Sequence, residues 1–186
     1  MKGIVFAMFG EMIEQKLGYE GWDALIETTQ PDSGGIYVGT ETYSDNELMA
    51  YIGALSKQTG ASADELTFAF GSFLLERFAD MHPEFFSGHS LVTFLKSVHD
   101  VIHVEVAKLH PDVVLPTFEY EDSPDGLVMV YHSPRQLCSL AEGLVTGAGD
   151  HFDEAVSIGH PACMKRGADH CRLELTIGAR EDEHAA

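Results

Sequence analysis

Basic residues are scarce in this chain. Among 186 residues, 11 Lys and Arg face 30 Asp and Glu, a formal charge of −19 with the histidines neutral. Such a surface repels nucleic-acid phosphates and anionic membrane surfaces, so neither is expected as a partner. Long apolar runs are missing as well. Nowhere do about 18 apolar residues follow one another, so no membrane-spanning helix is expected. The opening Met1-Lys2-Gly3-Ile4-Val5-Phe6 is followed by Glu11, too soon for the apolar core of a secretory leader. The cytoplasm is the expected compartment. No nucleophile–base pair and no paired-carboxylate motif stands out, so no enzymatic activity is expected. Cysteine is limited to Cys138, Cys163 and Cys171, all in the last quarter. An odd, clustered set reads as metal-binding or redox-active thiols and not as a disulfide framework.

What is present is enough for one folded unit. Hydrophobic residues make up 45% of the chain, and a chain of this length fits a single domain. Ile4, Val5, Met8, Phe9, Met12, Ile13 and Leu17 recur at helical spacing, with Gly18 as the expected stop and a short second helix over Trp22, Leu25 and Ile26. Ser44-Asp45-Asn46-Glu47 and Ser62-Ala63-Asp64-Glu65 both fit the capping box, each before an apolar-periodic run. A further long helix is expected from about Ser90 to Leu109. After Pro111 the period changes. Thr117 to Tyr120 and Leu127 to Tyr131 read as hairpin strands around a turn at Glu121-Asp122-Ser123-Pro124-Asp125-Gly126. Ser133-Pro134 offers an N-cap and first position for a helix through Leu144. Ala155 to Ile158 and Arg172 to Ile177 are further candidate strands. The fold class is therefore α+β, helical first, then an antiparallel sheet with packed helices.

Three groups of residues could carry chemistry. His99 and His103 lie one turn apart on the Ser90–Leu109 helix. With Leu95 as reference, Val106, His99 and His103 fall at about 20°, 40° and 80°, so both histidines flank the apolar stripe. They could be hydrogen-bonded core residues, an i, i+4 zinc pair, or a single ligand to haem iron. Periodicity does not choose between these. Tyr131-His132-Ser133-Pro134-Arg135 is either an exposed strand-to-helix corner or a phenol, a hydroxyl and a guanidinium arranged to receive carboxylates. Cys138, His160, Cys163 and Cys171 supply the three thiols and one imidazole of a tetrahedral zinc site. The other reading is three buried thiols beside surface histidines, and His170 competes with His160.

The opening hexapeptide, His99-Asp100-Val101-Ile102-His103-Val104-Glu105, the Y-x-S-x-R at Tyr131, Ser133 and Arg135, and Ala141-Glu142-Gly143-Leu144 together carry a resemblance. Over residues 1 to 178 the chain resembles the bacterial H-NOX domains, haem-based nitric oxide and oxygen sensors related to the haem domain of soluble guanylate cyclase. The resemblance implies an H-NOX fold around a haem b pocket, with a distal helical part over about 1–60, a proximal α/β part over about 61–178, and a disordered tail over 179–186. It implies His103, not His99, as the ligand to iron. Tyr131, Ser133 and Arg135 would clamp the haem propionates, Pro116 and Leu144 would touch the haem, and Leu95 and Val106 would pack beside it. Val5, Phe9, Leu74, Phe78 and Leu140 would line the distal pocket. Oxygen-binding members supply a distal tyrosine where this chain has Leu140. The implied ligands are nitric oxide and CO, and the implied output passes in trans to a sensor histidine kinase or a diguanylate cyclase. Some members carry zinc at the cysteine–histidine positions. A thiol switch through Cys138, His160, Cys163 and Cys171 is the alternative function.

Overall fold

Gly18 marks the first difference between pattern and structure. The computed structural model describes residues 1–109 and 113–180. In it α1 runs over Gly3–Thr29, kinked at Gly18 by a left-handed backbone (φ 76°, ψ 172°). Glycine accepts that conformation at little steric cost. The chain then re-enters the helix, so the expected stop is a bend, and Leu25 reaches the same core as Phe6 and Phe9.

Ser44 opens α2 (Asp45–Thr59) by accepting from the Asn46 N–H. Its expected box partner Glu47 turns elsewhere: it is buried and takes hydrogen bonds from Ser33 (2.6 Å) and Tyr37 (2.7 Å). The box at Ser62 is complete, with Glu65 reaching back to the Ser62 N–H, and starts α3 (Ala63–Met81). The expected Ser90–Leu109 helix is three pieces: α4 (Leu91–Ser97), a π turn (Val98–Ile102) and α5 (His103–Leu109).

The hairpin is tighter than its composition indicates. β1 (Thr117–Ser123) and β2 (Gly126–His132) pair as far as Ser123 and Gly126, so Glu121, Asp122 and Ser123 belong to a strand. β1 is an edge strand in the order β1-β2-β4-β3, and acidic side chains suit such an edge. Helix α6 spans Cys138–His151 and begins after the Ser133-Pro134 signal. Gln136 has φ 51°, outside helical space, and its N–H closes a turn on Ser133. β3 (Glu154–Ala162) and β4 (Cys171–Ala179) are longer than expected at both ends. Ala179 pairs with Glu154, and Arg180 pairs with Asp150, so neither belongs to a tail. Residues 181–186 of the expected tail lie outside the described residues.

The side chains close two apolar clusters. Phe6, Phe9, Ile13, Leu48, Tyr51, Ile52 and Phe70 belong to the first, between α1, α2 and α3. Leu91, Phe94, Leu127, Met129, Leu173 and Leu175 belong to the second, among α4, the sheet and α6. Phe78 and Leu144 pack against both. Between them α3 and α6 cross at Gly71 and Gly143. A methyl on Gly143 would fall 2.0 Å from the Phe68 carbonyl oxygen, and one on Gly71 2.4 Å from that of Leu140. Ser72 Oγ donates to the Gly143 carbonyl (3.0 Å) across the same contact.

No helix among the described residues is long and apolar enough to cross a membrane. The glycine crossing yields a paired prediction. Gly143→Ala loses about 1–3 kcal/mol in urea unfolding, because backbone must move. Gly53→Ala, in α2 where nothing lies within 4 Å, gains about 0.5–1 kcal/mol from helix propensity.

Candidate functional site

His103 is the first residue of α5 and sits half-buried against the sheet, its ring 5.8 Å from that of Phe118. Burial, then the neighbouring His99, lowers its pKa to about 4, while the backbone of Pro116 pulls the other way. The ring is therefore neutral, the state in which imidazole binds a metal. Its Nδ1 is buried without a hydrogen-bond partner, as is that of His99. Phe118 pairs across the hairpin with Tyr131, ring to ring at 5.5 Å, so His103 and Tyr131 flank one aromatic. Tyr131 and Ser133 are both buried, and burial raises the Tyr131 phenol against the bond from Ser133.

Arg135 follows in the same turn, its N–H on Ser133 Oγ (3.2 Å). Its guanidinium donates from Nε to Asp45 (2.5 Å) and from Nη1 to the Val114 carbonyl (2.5 Å). The remaining N–H donors keep a fork for a further carboxylate. Asp45 also pairs with the amino group of Met1 (2.8 Å). Burial alone would raise the Asp45 carboxyl, but the Met1 amine and Arg135 outweigh it and hold the group below the usual range.

Val5, Phe9, Leu74, Phe78 and Leu140, far apart in the sequence, meet in the first apolar cluster, and Leu144 joins them. Tyrosines share this cluster, but Tyr37 donates to Glu47 and bonds Tyr51 (2.9 Å), which ties both hydroxyls into one network. Leu95 is buried, whereas Val106 is only half-buried because the π turn shifts the phase of the helix. The expectation of Val106 on the Leu95 stripe assumed an unbroken α-helix.

A second constellation lies beyond Tyr131. Cys138 opens α6, His160 lies in β3, Cys163 follows it and Cys171 opens β4 beside Tyr131. Their four ligand atoms all lie within 4.8 Å of one another. His160 Nδ1 meets Glu142 at 2.5 Å, which leaves a buried, unpartnered Nε2. His170 is engaged with Asp169 (2.6 Å) outside this group. The Met164 N–H donates to Cys171 Sγ (3.3 Å), and Cys138 and Cys163 stand 3.8 Å apart. Burial pushes Cys138 up to about 12 and raises Cys171. For Cys163 the raising effect of burial is outweighed by the backbone of Lys165 and the neighbouring thiols, so its pKa falls. A groove of about 710 Å³, lined in part by Glu142, His160 and Lys165, opens beside the cluster.

A family model described as haem-NO-binding matches residues 2–160. The chain belongs to the H-NOX family. Among solved structures, it is 33% identical to an H-NOX protein from S. oneidensis, a triple mutant in the Fe(II) state. That alignment covers 100% of both chains with a TM-score of 0.90. The S. oneidensis protein in the Fe(II)NO state aligns with 33% identity, 95% and 99% coverage and a TM-score of 0.89. An Fe(II) unliganded H-NOX protein from K. algicida gives 29%, full coverage of both chains and 0.85. No curated protein matches the chain. As a haem-based gas-sensor family, H-NOX supports haem as the cofactor.

Residues to which the H-NOX motifs give no role also frame the site. Asp45 reads in sequence as a helix start, and nothing local ties it to Arg135, 90 residues away. Glu142 lies in the Ala141–Leu144 motif, and its bond to His160 spans 18 residues. Lys165 reaches Asp64 and Ser139, joining the cysteine loop to the start of α3. Asp64 is likewise held below the usual range, first by Lys165. A depressed carboxylate contributes stability above its unfolded pKa, and the contribution disappears as pH falls through the folded one. Asp45→Asn therefore loses up to about 1 kcal/mol in urea unfolding at pH 7. The gap to the parent closes below about pH 4, as the parent's own carboxylates take protons.

Proposed function

We propose that this H-NOX domain is a nitric oxide sensor that holds haem b through His103 and excludes oxygen. The observation that carries the reading is the half-buried, neutral His103 sharing Phe118 with Tyr131, while the five distal positions meet in one apolar cluster. The donors fit the group. Tyr131, Ser133 and Arg135 offer two hydroxyls and a guanidinium to two propionates, and charge-assisted bonds of this kind are the strong ones. Pro116, whose backbone lies by His103, and Leu144, at the first apolar cluster, would touch the haem. Haem, when bound, supplies a ferrous iron that takes nitric oxide or CO without a hydrogen-bond donor. Bound oxygen needs such a donor, and Leu140 offers none. The Tyr37 and Tyr51 hydroxyls are committed to the Glu47 network. His103 would tie the iron to α5, so weakening of that tie would free α5 for a separate sensor histidine kinase or diguanylate cyclase to read. We place the protein in the cytoplasm and assign it no catalytic step.

Reduced protein in air should keep a five-coordinate spectrum or oxidise slowly, and nitric oxide should give a five-coordinate nitrosyl. A stable oxy-complex refutes the reading, and Leu140→Tyr should move the protein towards one. His103→Gly should ligate haem only with added imidazole, whereas His99→Ala keeps the parental ferrous spectrum.

For the second constellation we propose zinc on Cys138, His160, Cys163 and Cys171. Four converging ligand atoms, an orphaned buried Nε2 and a carboxylate on the far side of the imidazole suit a tetrahedral ion. The 3.8 Å between Cys138 and Cys163 also supports the thiol switch, in which oxidation of this pair releases the metal. Protein purified under reducing conditions should contain one zinc per chain, and Cys163→Ala should lose it. Metal well below stoichiometry removes both readings.

A further inference from the structure

The helix that carries His103 is interrupted one turn before it. In the π turn Val98–Ile102 the N–H of His103 reaches back five residues to the Val98 carbonyl. A π turn inserts a residue into the helical ladder and leaves a carbonyl that its usual donor no longer reaches. Just before this turn stands the carbonyl of Leu95. A regular helix would bond it to the N–H of His99. Here it accepts from the Tyr120 hydroxyl at 2.6 Å and from the nearer Val98 N–H. The backbone of His99 faces the same phenol oxygen. A hydroxyl from β1 thus engages both partners of one regular helical bond, and an inserted side chain is a known cause of a break in the ladder.

The extra residue has a consequence for His103. It turns everything beyond it by about 100°. His103, which an unbroken helix would put about 80° from Leu95, comes to about 20° on the other side, close to the centre of the buried stripe. On the same segment Val98 and Ile102 pack against the second cluster, whereas Val101 and Val104 are exposed.

We propose that Tyr120 is the positioning residue of this turn. Its hydroxyl holds Leu95 and His99 apart and so sets the face from which His103 meets the iron. The effect on iron rests on the reading of His103 as ligand; the latch does not. The helix has two ladders that differ by one bond, and Tyr120 selects the open one. Without the hydroxyl, the Leu95 carbonyl takes the His99 N–H, the turn closes to α, and His103 rotates off the stripe.

Tyr120→Phe removes the hydroxyl and keeps the ring beside Phe118. Two readouts separate the latch from a merely structural tyrosine. The first is the through-hydrogen-bond coupling between Leu95 C′ and His99 N, recorded on the diamagnetic ferrous CO form, or on the chain as isolated if it takes up no haem. It should be absent in the parent and present in the variant, with His99 amide exchange slowed roughly tenfold as the bond forms. The second is the iron–histidine stretching band of the reduced protein, which should move to lower frequency in the variant. A coupling already present in the parent overturns the proposal, and that measurement stands even if the variant does not fold. A variant that gains no coupling overturns it too, as does one that gains it with the band unmoved. A parent without a haem spectrum overturns the sensor reading alone, since the amide coupling needs no iron.

Discussion

Where α3 and α6 cross, backbone lies on backbone. Gly71 and Gly143 leave no room for a methyl on either side, so the separation of the two helices is fixed by main-chain contact, which yields less than side chains do. The two candidate sites hang on this crossing. Helix α6 brings Cys138 and Glu142 to the cysteine cluster and Leu140 and Leu144 to the first apolar cluster. Helix α3 brings Leu74 and Phe78 to the apolar cluster and Asp64 to the cysteine loop. One rigid pair of helices is therefore a shared wall of both sites, and a shift in either must move the crossing.

The electrostatics follow the same division. A chain with so few cations places two of them at joints between the helical half and the rest. Arg135 binds Asp45 at the start of α2, and Lys165 binds Asp64 at the start of α3. Each pair is partly exposed, so each contributes modestly. Their value lies in position. The guanidinium proposed for a cofactor carboxylate also holds the helical half through Asp45, each anion taking a different part of the same group.

Sequence and structure part where a single backbone angle decides. Gly18 reads as a stop and acts as a bend, because only the core waiting beyond it makes re-entry worthwhile. Ser133-Pro134 reads as a helix start, but the left-handed Gln136 delays α6 by four residues and frees Ser133 and Arg135 for the site. The acidic end of β1 reads as a turn, yet an edge strand tolerates it. The candidate site was legible where family motifs mark it: His103, Tyr131, Ser133, Arg135 and the cysteine positions. It was not legible at Asp45, Glu142, Lys165 or Tyr120, whose partners lie far off in sequence and leave no periodic trace.

The sequence by itself determined the α+β order, the capped helices, the hairpin and the set of residue types able to hold a metal or a carboxylate. These are local properties, written in spacing and composition. Tertiary structure alone decided that His160 and not His170 joins the thiols, because β3 brings the His160 ring within 4.8 Å of all three sulfurs. It also decided the phase of His103. Helical periodicity counts residues and assumes that each carbonyl finds the N–H four places on, and a hydroxyl from another strand breaks that assumption.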